Sequence, residues 1–214
     1  INTPYALVPP DVMILDSVQK NLLSSTDAEG KLAQLRGNDL RSDLAKYFYR
    51  KSINQQYAIN INGGGNKMRY YFSAGYDKNL PNLERNYYER ITLNANNVYL
   101  LMKDKVELTA GVGFTQSNTA NNNSGILYNF YPYSELVDEG GNAAIVPSDY
   151  RQGFKNTAGT GLLDWNYRPL EELQQADNLT RLTDYRVNIG AEYKMMPGLN
   201  LTARYQYGKG ISDQ

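Results

Sequence analysis

The chain has 214 residues, with 22 Lys+Arg balanced by 22 Asp+Glu, no His, no Cys, and 19 Tyr beside 5 Phe and 1 Trp. Without Cys or His there is no disulfide framework, zinc finger, thiol nucleophile or Ser-His-Asp triad, so no enzyme, resident metal or cofactor is expected. A formal net charge of zero and a pI of about 6.6 provide no phosphate-neutralising surface, and no nucleic-acid partner is expected.

Residues 1–53 read as an irregular segment with room for two short helices. Pro9 and Pro10 break its start, Ser24-Ser25-Thr26-Asp27 can cap a helix over EGKLAQLRG, and Leu40, Leu44, Ala45 and Phe48 have helical spacing. Residues 54–118 then change to a period of two and read as four strands. In the first, Tyr57, Ile59 and Ile61 share a face opposite Ala58, Asn60 and Asn62. After the Gly63-Gly64-Gly65-Asn66 turn, Met68, Tyr70, Phe72, Ala74 and Tyr76 oppose Arg69, Tyr71, Ser73, Gly75 and Asp77, which is a hairpin by pattern and turn chemistry. The third strand carries Tyr87, Ile91, Leu93 and Ala95 against Tyr88, Arg90, Thr92, Asn94 and Asn96. Its apolar parity slips near Asn97, where a bulge or the strand's end is expected. The fourth sets Val106, Leu108, Ala110, Val112 and Phe114 against Glu107, Thr109, Gly111, Gly113 and Thr115.

Residues 119–184 form one very long connection. Residues 185–214 supply two more strands and the start of a loop: Tyr185, Val187, Ile189, Ala191 and Tyr193 on one face, then, after a Pro197-Gly198 turn, Leu199, Leu201, Ala203, Tyr205 and Tyr207. Tight turns alternate with longer connections throughout, as in an up-and-down barrel with every tight turn at one end. No window approaches the roughly 18 apolar residues of a transmembrane helix, which leaves a membrane barrel open. Neither the opening Ile1-Asn2-Thr3-Pro4 nor the closing stretch resembles a natural chain end, and six strands do not close a wide barrel, so the expectation is a piece of something larger.

Tyr explains itself at the strand ends. Tyr57, Tyr70, Tyr76, Tyr87, Tyr185, Tyr193, Tyr205 and Tyr207 begin or end apolar faces, where an aromatic girdle places a ring at headgroup level with its hydroxyl in water. The opposite face, with Arg69, Arg90, Arg186, Glu192 and Arg204, would then line a wet lumen. A soluble antiparallel sheet with one solvated face gives the same alternation, and the competing assignment is a soluble secreted all-β carbohydrate-binding module.

The stretch SINQQYAININGGGNKMRYYFSAGYDKN followed by NYYERITLNANN, with AEYKMMPGLNLTARYQYG later, resembles the SusC/RagA-like TonB-dependent transporters of Bacteroidetes outer membranes. The resemblance rests on Gly63 to Gly65, Tyr70-Tyr71-Phe72, Gly75-Tyr76, Tyr88-Glu89-Arg90 and the Pro197-Gly198-Leu199 turn, and covers about residues 40–118 and 183–208. It implies an all-β fold, a segment of a 22-strand-type transmembrane barrel with long extracellular loops. It also implies outer-membrane lipid around the barrel, import of an oligosaccharide or peptide, a SusD-like surface lipoprotein partner, and a TonB complex acting through a plug that no stretch of this chain matches.

The long connection holds the substrate- or partner-contact candidates. Tyr128, Phe130, Tyr131 and Tyr133 form one aromatic cluster, and Trp165 with Tyr167 another. Asn129, Asp164, Asn166 and Arg168 can supply hydrogen bonds beside rings that stack on sugars or hold peptide side chains. The alternative is that these rings pack the connection's own small core. Glu171, Glu172 and Asp177 fit a solvated helix over about 169–176 rather than a hydrolytic pair, and Asp138, Glu139 and Asn142 lack a calcium-loop frame.

Overall fold

The structure, a computed structural model, describes residues 3, 5–125, 130–158, 161 and 163–214. The chain divides into two compact units, Ile1–Arg50 with Asn123–Ala176, and Lys51–Asn122 with Asp177–Gln214. No helix among the described residues is long and apolar enough to cross a membrane.

The second unit is one antiparallel up-and-down sheet in the order β1 (Ile53–Gly65), β2 (Met68–Leu80), β3 (Asn86–Leu101), β4 (Val106–Asn121), β5 (Leu179–Met196) and β6 (Leu199–Asp213). It is not closed, because β1 and β6 each pair on one side only. The tight turns have identifiable chemistry. Pro197-Gly198 follows the Pro-then-Gly pattern of a type II turn, with Gly198 at φ +87°. The turn from β3 to β4 is different: Met102, Lys103 and Asp104 adopt φ of 51°, 55° and 67°, a left-handed run that side chains with a Cβ resist. At Gly63, the partner of Tyr70 across the first hairpin, the phenol ring lies over the glycine, where any Cβ would collide with it. The ring thereby covers backbone that a glycine leaves bare.

The observed register shows neither the bulge nor the strand end expected near Asn97 of β3. Tyr99 pairs with Met68 and with Leu108, and Ala95 with Phe72 and with Val112, without interruption. Two flanking ladders hold the strand, so Val98 and Leu100 simply fall on the polar face near the turn. The irregularity in the sheet lies between Lys194 and Met196 of β5. The strands also run further than their alternation reaches. β4 continues to Asn121 and β5 starts at Leu179, which shortens the long connection to 122–178, and 209–213 continue β6 where a loop was expected. These extensions pair polar residues, Asn118 with Arg181 and Thr119 with Thr180, so apolar periodicity does not mark them. They are held by the ladder and by side chains, with Arg181 Nε donating to Asn118 Oδ1 at 3.1 Å.

The first unit is helical: α1 (Pro10–Gln19), α2 (Ser25–Gly37), α3 (Leu40–Tyr47), α4 (Gln152–Ala158) and α5 (Pro169–Gln175). Ser24 caps α2 by accepting from the Asp27 amide at 3.1 Å, and Asp39 caps α3 through the Arg41 amide at 3.1 Å. Pro10 opens α1 instead of breaking the segment, since the first helical position needs no donor. A core of Leu40, Phe48, Leu136, Val146, Leu170 and Leu173 joins the N-terminal segment to the long connection. Leu40 N donates to Pro132 O at 3.0 Å, Leu136 N to Asp43 Oδ2 at 2.9 Å, and buried Asn123 to Phe48 O at 3.0 Å. Two stretches that the sequence separates therefore fold as one body.

Candidate functional site

The ladder fixes which side chains share a face of the sheet. Ile61, Phe72, Ala95, Val112, Val187 and Tyr207 follow one another across the six strands, each the register partner of the next. The rows on either side of this one are likewise rich in Ile, Leu, Ala and Tyr. Most of these side chains are exposed, Val112 by 54% and Ile189 by 55%. A contiguous apolar face of this extent is unusual on a protein surface in water. It also has shape: a groove of about 420 Å³ runs between Ile59, Ile61, Phe72, Leu93, Val112 and Phe114.

The apolar band has definite edges. It occupies nine residues in each of four strands, 68–76, 106–114, 185–193 and 199–207. Beyond its far edge the same face turns polar at Lys78, Glu89, Gln116, Thr183 and Lys209. There Lys78 Nζ lies 3.3 Å from Glu89 Oε1, and the Tyr76 hydroxyl donates to the same oxygen at 3.3 Å. That edge is not level with the ladder. Tyr57 and Tyr76 end the band in one register row, Phe114 and Tyr185 two residues lower, and Tyr207 four residues lower. At strand dimensions this is a fall of about 14 Å over about 24 Å of sheet width, a slope of about 30° between band and ladder. Tyr57 and Tyr76 stack at this edge with ring centroids 6.4 Å apart.

The other face carries Arg69, Arg90, Arg186, Glu192 and Arg204, which the register brings to one side. Arg90 pairs with Asp77 at 2.7 Å, Arg69 with Glu107 at 3.7 Å, and Arg186 with Asp184 at 3.6 Å. Glu192 sits directly opposite Glu107, a like-charge pair that Arg69 and the Asn200 amide, 3.4 Å from Glu192 Oε1, offset. Between these charges lies a lane of small and amide side chains, with Asn94 donating to Ser73 Oγ at 3.3 Å.

In the helical unit the aromatic candidates separate. Tyr128 and Asn129 lie outside the described residues. Phe130 and Tyr167 stack with centroids 6.3 Å apart and pack against the core. Tyr131 and Tyr133 stack at 5.7 Å, and the Tyr133 hydroxyl donates to Asp11 at 2.6 Å. Burial first, then the Asp11 carboxylate, push the Tyr133 phenol up to about 12. Asp164 accepts from the Asn166 amide and pairs with Arg168 at 2.7 Å, and these two partners hold its carboxyl below the usual range. Trp165 joins Tyr150 and Phe154, with centroids 5.8 and 6.5 Å away, and Tyr5 edges onto Phe154 at 6.2 Å.

Tyr5, Tyr150, Phe154 and Lys155 were not singled out by sequence, since no periodicity links residue 5 to residue 150. Lys155 is only 3% exposed; its ammonium lies 2.6 Å from Asp149, 3.2 Å from Trp165 O and 5.7 Å from the Trp165 ring centroid. Burial works to raise the Asp149 pKa, but the Lys155 and Tyr150 donors outweigh it and hold the carboxyl below its usual range. Gln152 donates to Asn156 and Asn166 beside this cluster. Asp138 turns its oxygens onto its own loop, accepting from the Asn142 amide at 2.8 Å, and Glu171 lies 3.8 Å from Arg168.

No family model matches the chain, and no curated protein matches it. Among solved structures it is similar to a chain of the RagAB peptide importer in a closed-closed state, with TM-score 0.58 and 17% identity over 79% of this chain and 19% of that one. It is similar also to a chain of the RagAB peptide transporter, with TM-score 0.57 and 17% identity over 78% of this chain and 18% of that one. The chain thus spans about a fifth of the structures it resembles, and at this identity the likeness is one of fold.

Proposed function

We propose that this chain is part of the barrel wall and extracellular mouth of a SusC/RagA-type TonB-dependent importer in a bacterial outer membrane. The observation that carries the proposal is the apolar band. Nine strand residues tilted through a bilayer are what a membrane strand requires, and a slope of about 30° lies near the 35–45° strand tilt of such barrels. Tyrosines at the edges would sit at headgroup depth, and the unpaired edges of β1 and β6 would continue into further strands, because open edges do not persist in lipid. A soluble carbohydrate-binding module would leave the apolar face in water, and the described residues hold no second sheet to cover it.

In this account the polar face of Arg69, Arg90, Arg186, Glu192 and Arg204 borders the lumen, where charges keep their water. The helical unit is joined in the chain to β1, β4 and β5 at the strand ends away from the tight turns, the ends that this proposal assigns to the extracellular mouth. It would meet the cargo, a peptide or oligosaccharide, or a SusD-like surface lipoprotein. The chain's residues act by binding and enclosure, with no catalytic step. Energy would arrive from a TonB complex through a plug. Affinity purification of the full-length protein from detergent-solubilised outer membranes tests this directly. A stoichiometric surface lipoprotein, together with uptake of peptide or glycan that stops when TonB is removed, is the expected result. Recovery in the soluble fraction without detergent contradicts it.

A further inference from the structure

The tight-turn end of the sheet differs in chemistry from the opposite end. Its turns carry Lys67, Lys103 and Lys105, with Asp104 the acid among them, and Lys194 follows at the end of β5 on the face that carries Glu192 and Glu107; all four lysines are exposed. Among the described residues none of the four is joined to a carboxylate, whereas the far end pairs Lys78 with Glu89, Arg90 with Asp77 and Arg186 with Asp184. The turns are also adjacent in space: Lys67 O accepts from Leu100 N at 2.8 Å, and Lys105 O from Lys194 N at 2.8 Å. The lysines therefore line one continuous rim across β1 to β5.

A second feature of the same turns is apolar. Met102 in the β3–β4 turn is 73% exposed, and Met195 and Met196 before the β5–β6 turn are exposed too, with Tyr99 and Tyr193 closing the band just inside. Turns that project into water shed such side chains. At headgroup depth the combination is stable, because thioether and ring lie against acyl chains while the lysine stem reaches outward and keeps its ammonium among the headgroups.

Resting on the membrane assignment above, we propose that the tight-turn rim is a binding surface for anionic phospholipid headgroups, with Lys67 and Lys103 of the turns meeting the phosphates and Lys105 and Lys194, on the polar face, adding to the positive field. The ligand is the phosphodiester of a lipid with net negative charge, held in the leaflet that the turns enter. Each lysine near such a surface contributes roughly fivefold in preference. The rim favours anionic over zwitterionic lipid and fixes the depth of the sheet, independently of cargo and of the lipoprotein partner.

The test uses the full-length protein in neutral detergent, with dioleoyl phosphatidylglycerol and dioleoyl phosphatidylcholine competing for it and bound lipid counted by native mass spectrometry. The wild type is expected to prefer phosphatidylglycerol. Lys67→Gln with Lys103→Gln is expected to lower that preference about twenty-five-fold, and the Lys→Arg pair at the same positions to retain it. Glycerol phosphate at equal concentration is expected not to compete, since it lacks the acyl chains that the methionines meet. Equal binding of the two lipids by the wild type, an unchanged preference in the Gln variant, or full competition by glycerol phosphate would each overturn the proposal while leaving the barrel in lipid. A protein that needs no detergent and takes up neither lipid would mean that the membrane assignment itself has failed.

Discussion

Val112 sits inside the apolar band on β4, two residues from its edge at Phe114, flanked by Ala95 on β3 and Val187 on β5, and is 54% exposed. Replacing it with Arg places a guanidinium where the account has acyl chains. The structure offers no acid on that face within the band, so the charge would have no partner to neutralise it. An Arg on the lipid face of a barrel at the midplane costs about 2–4 kcal/mol, falling to about 0–1 kcal/mol near the interface, so position 112, between the two, is expected to cost about 2 kcal/mol. Gln116, on the same strand and face, lies four residues on and already outside the band, so Gln116→Arg is expected to cost at most about 1 kcal/mol. Urea unfolding of the full-length protein in phospholipid vesicles, followed by the gel-mobility difference between folded and unfolded barrels, gives both values. If the face were in water, Val112→Arg would be an exposed surface change worth within about 0.5 kcal/mol. Equal costs at positions 112 and 116 would therefore refute a lipid-facing band.

Three further outcomes are expected. Leu136 is fully buried in the helical unit, and Leu136→Ala is expected to cost about 2–5 kcal/mol; hydrogen exchange should accelerate in the helices while the amides of β2 to β5 stay protected. Asp104 ends the left-handed run between β3 and β4, and Asp104→Gly is expected to stabilise by about 1 kcal/mol, read as a higher unfolding midpoint in detergent. The Tyr133 phenol is raised in the folded state, so its contribution to stability is complete below its unfolded pKa near 10 and is lost as pH climbs toward about 12. Alkaline unfolding of the helical unit monitored at increasing pH should lose that phase in Tyr133→Phe, and an unaltered profile would show that the Asp11 contact carries no linkage.

The sheet was readable in the sequence wherever one face is uniformly apolar. The alternation in 68–76, 106–114 and 185–193 places each side chain on the face it occupies, because a period of two is the geometry of a strand. It fails where pairing is polar: Thr119 with Thr180 and Asn118 with Arg181 are joined by the ladder, and nothing in hydrophobic pattern records that. Near Asn97 the same limit works in reverse, since a change in side-chain parity suggested a bulge that two intact ladders exclude. The helical unit was hidden for a different reason. Its core joins Leu40 and Phe48 to Leu136, Val146 and Leu173 across the four strands β1 to β4, and local periodicity carries no information on contacts so distant in the chain. Phe130 and Tyr167 were visible as aromatics, but that they stack on each other is a property of the fold.

This chain has no Cys of its own, and with any cysteine elsewhere in the full-length protein replaced by Ser the central claim is directly measurable. Single cysteines introduced one at a time from 185 to 193 of β5 in the full-length protein, spin-labelled and reconstituted in phospholipid vesicles, report whether each position meets lipid or water. The account predicts a strict period of two. Oxygen, which concentrates in the acyl region, should relax labels at 187, 189 and 191, and a water-soluble nickel complex should relax those at 186, 188, 190 and 192. Nickel access at 187, 189 and 191 equal to that at their neighbours would contradict a lipid-facing band and with it the assignment of this chain to a membrane barrel.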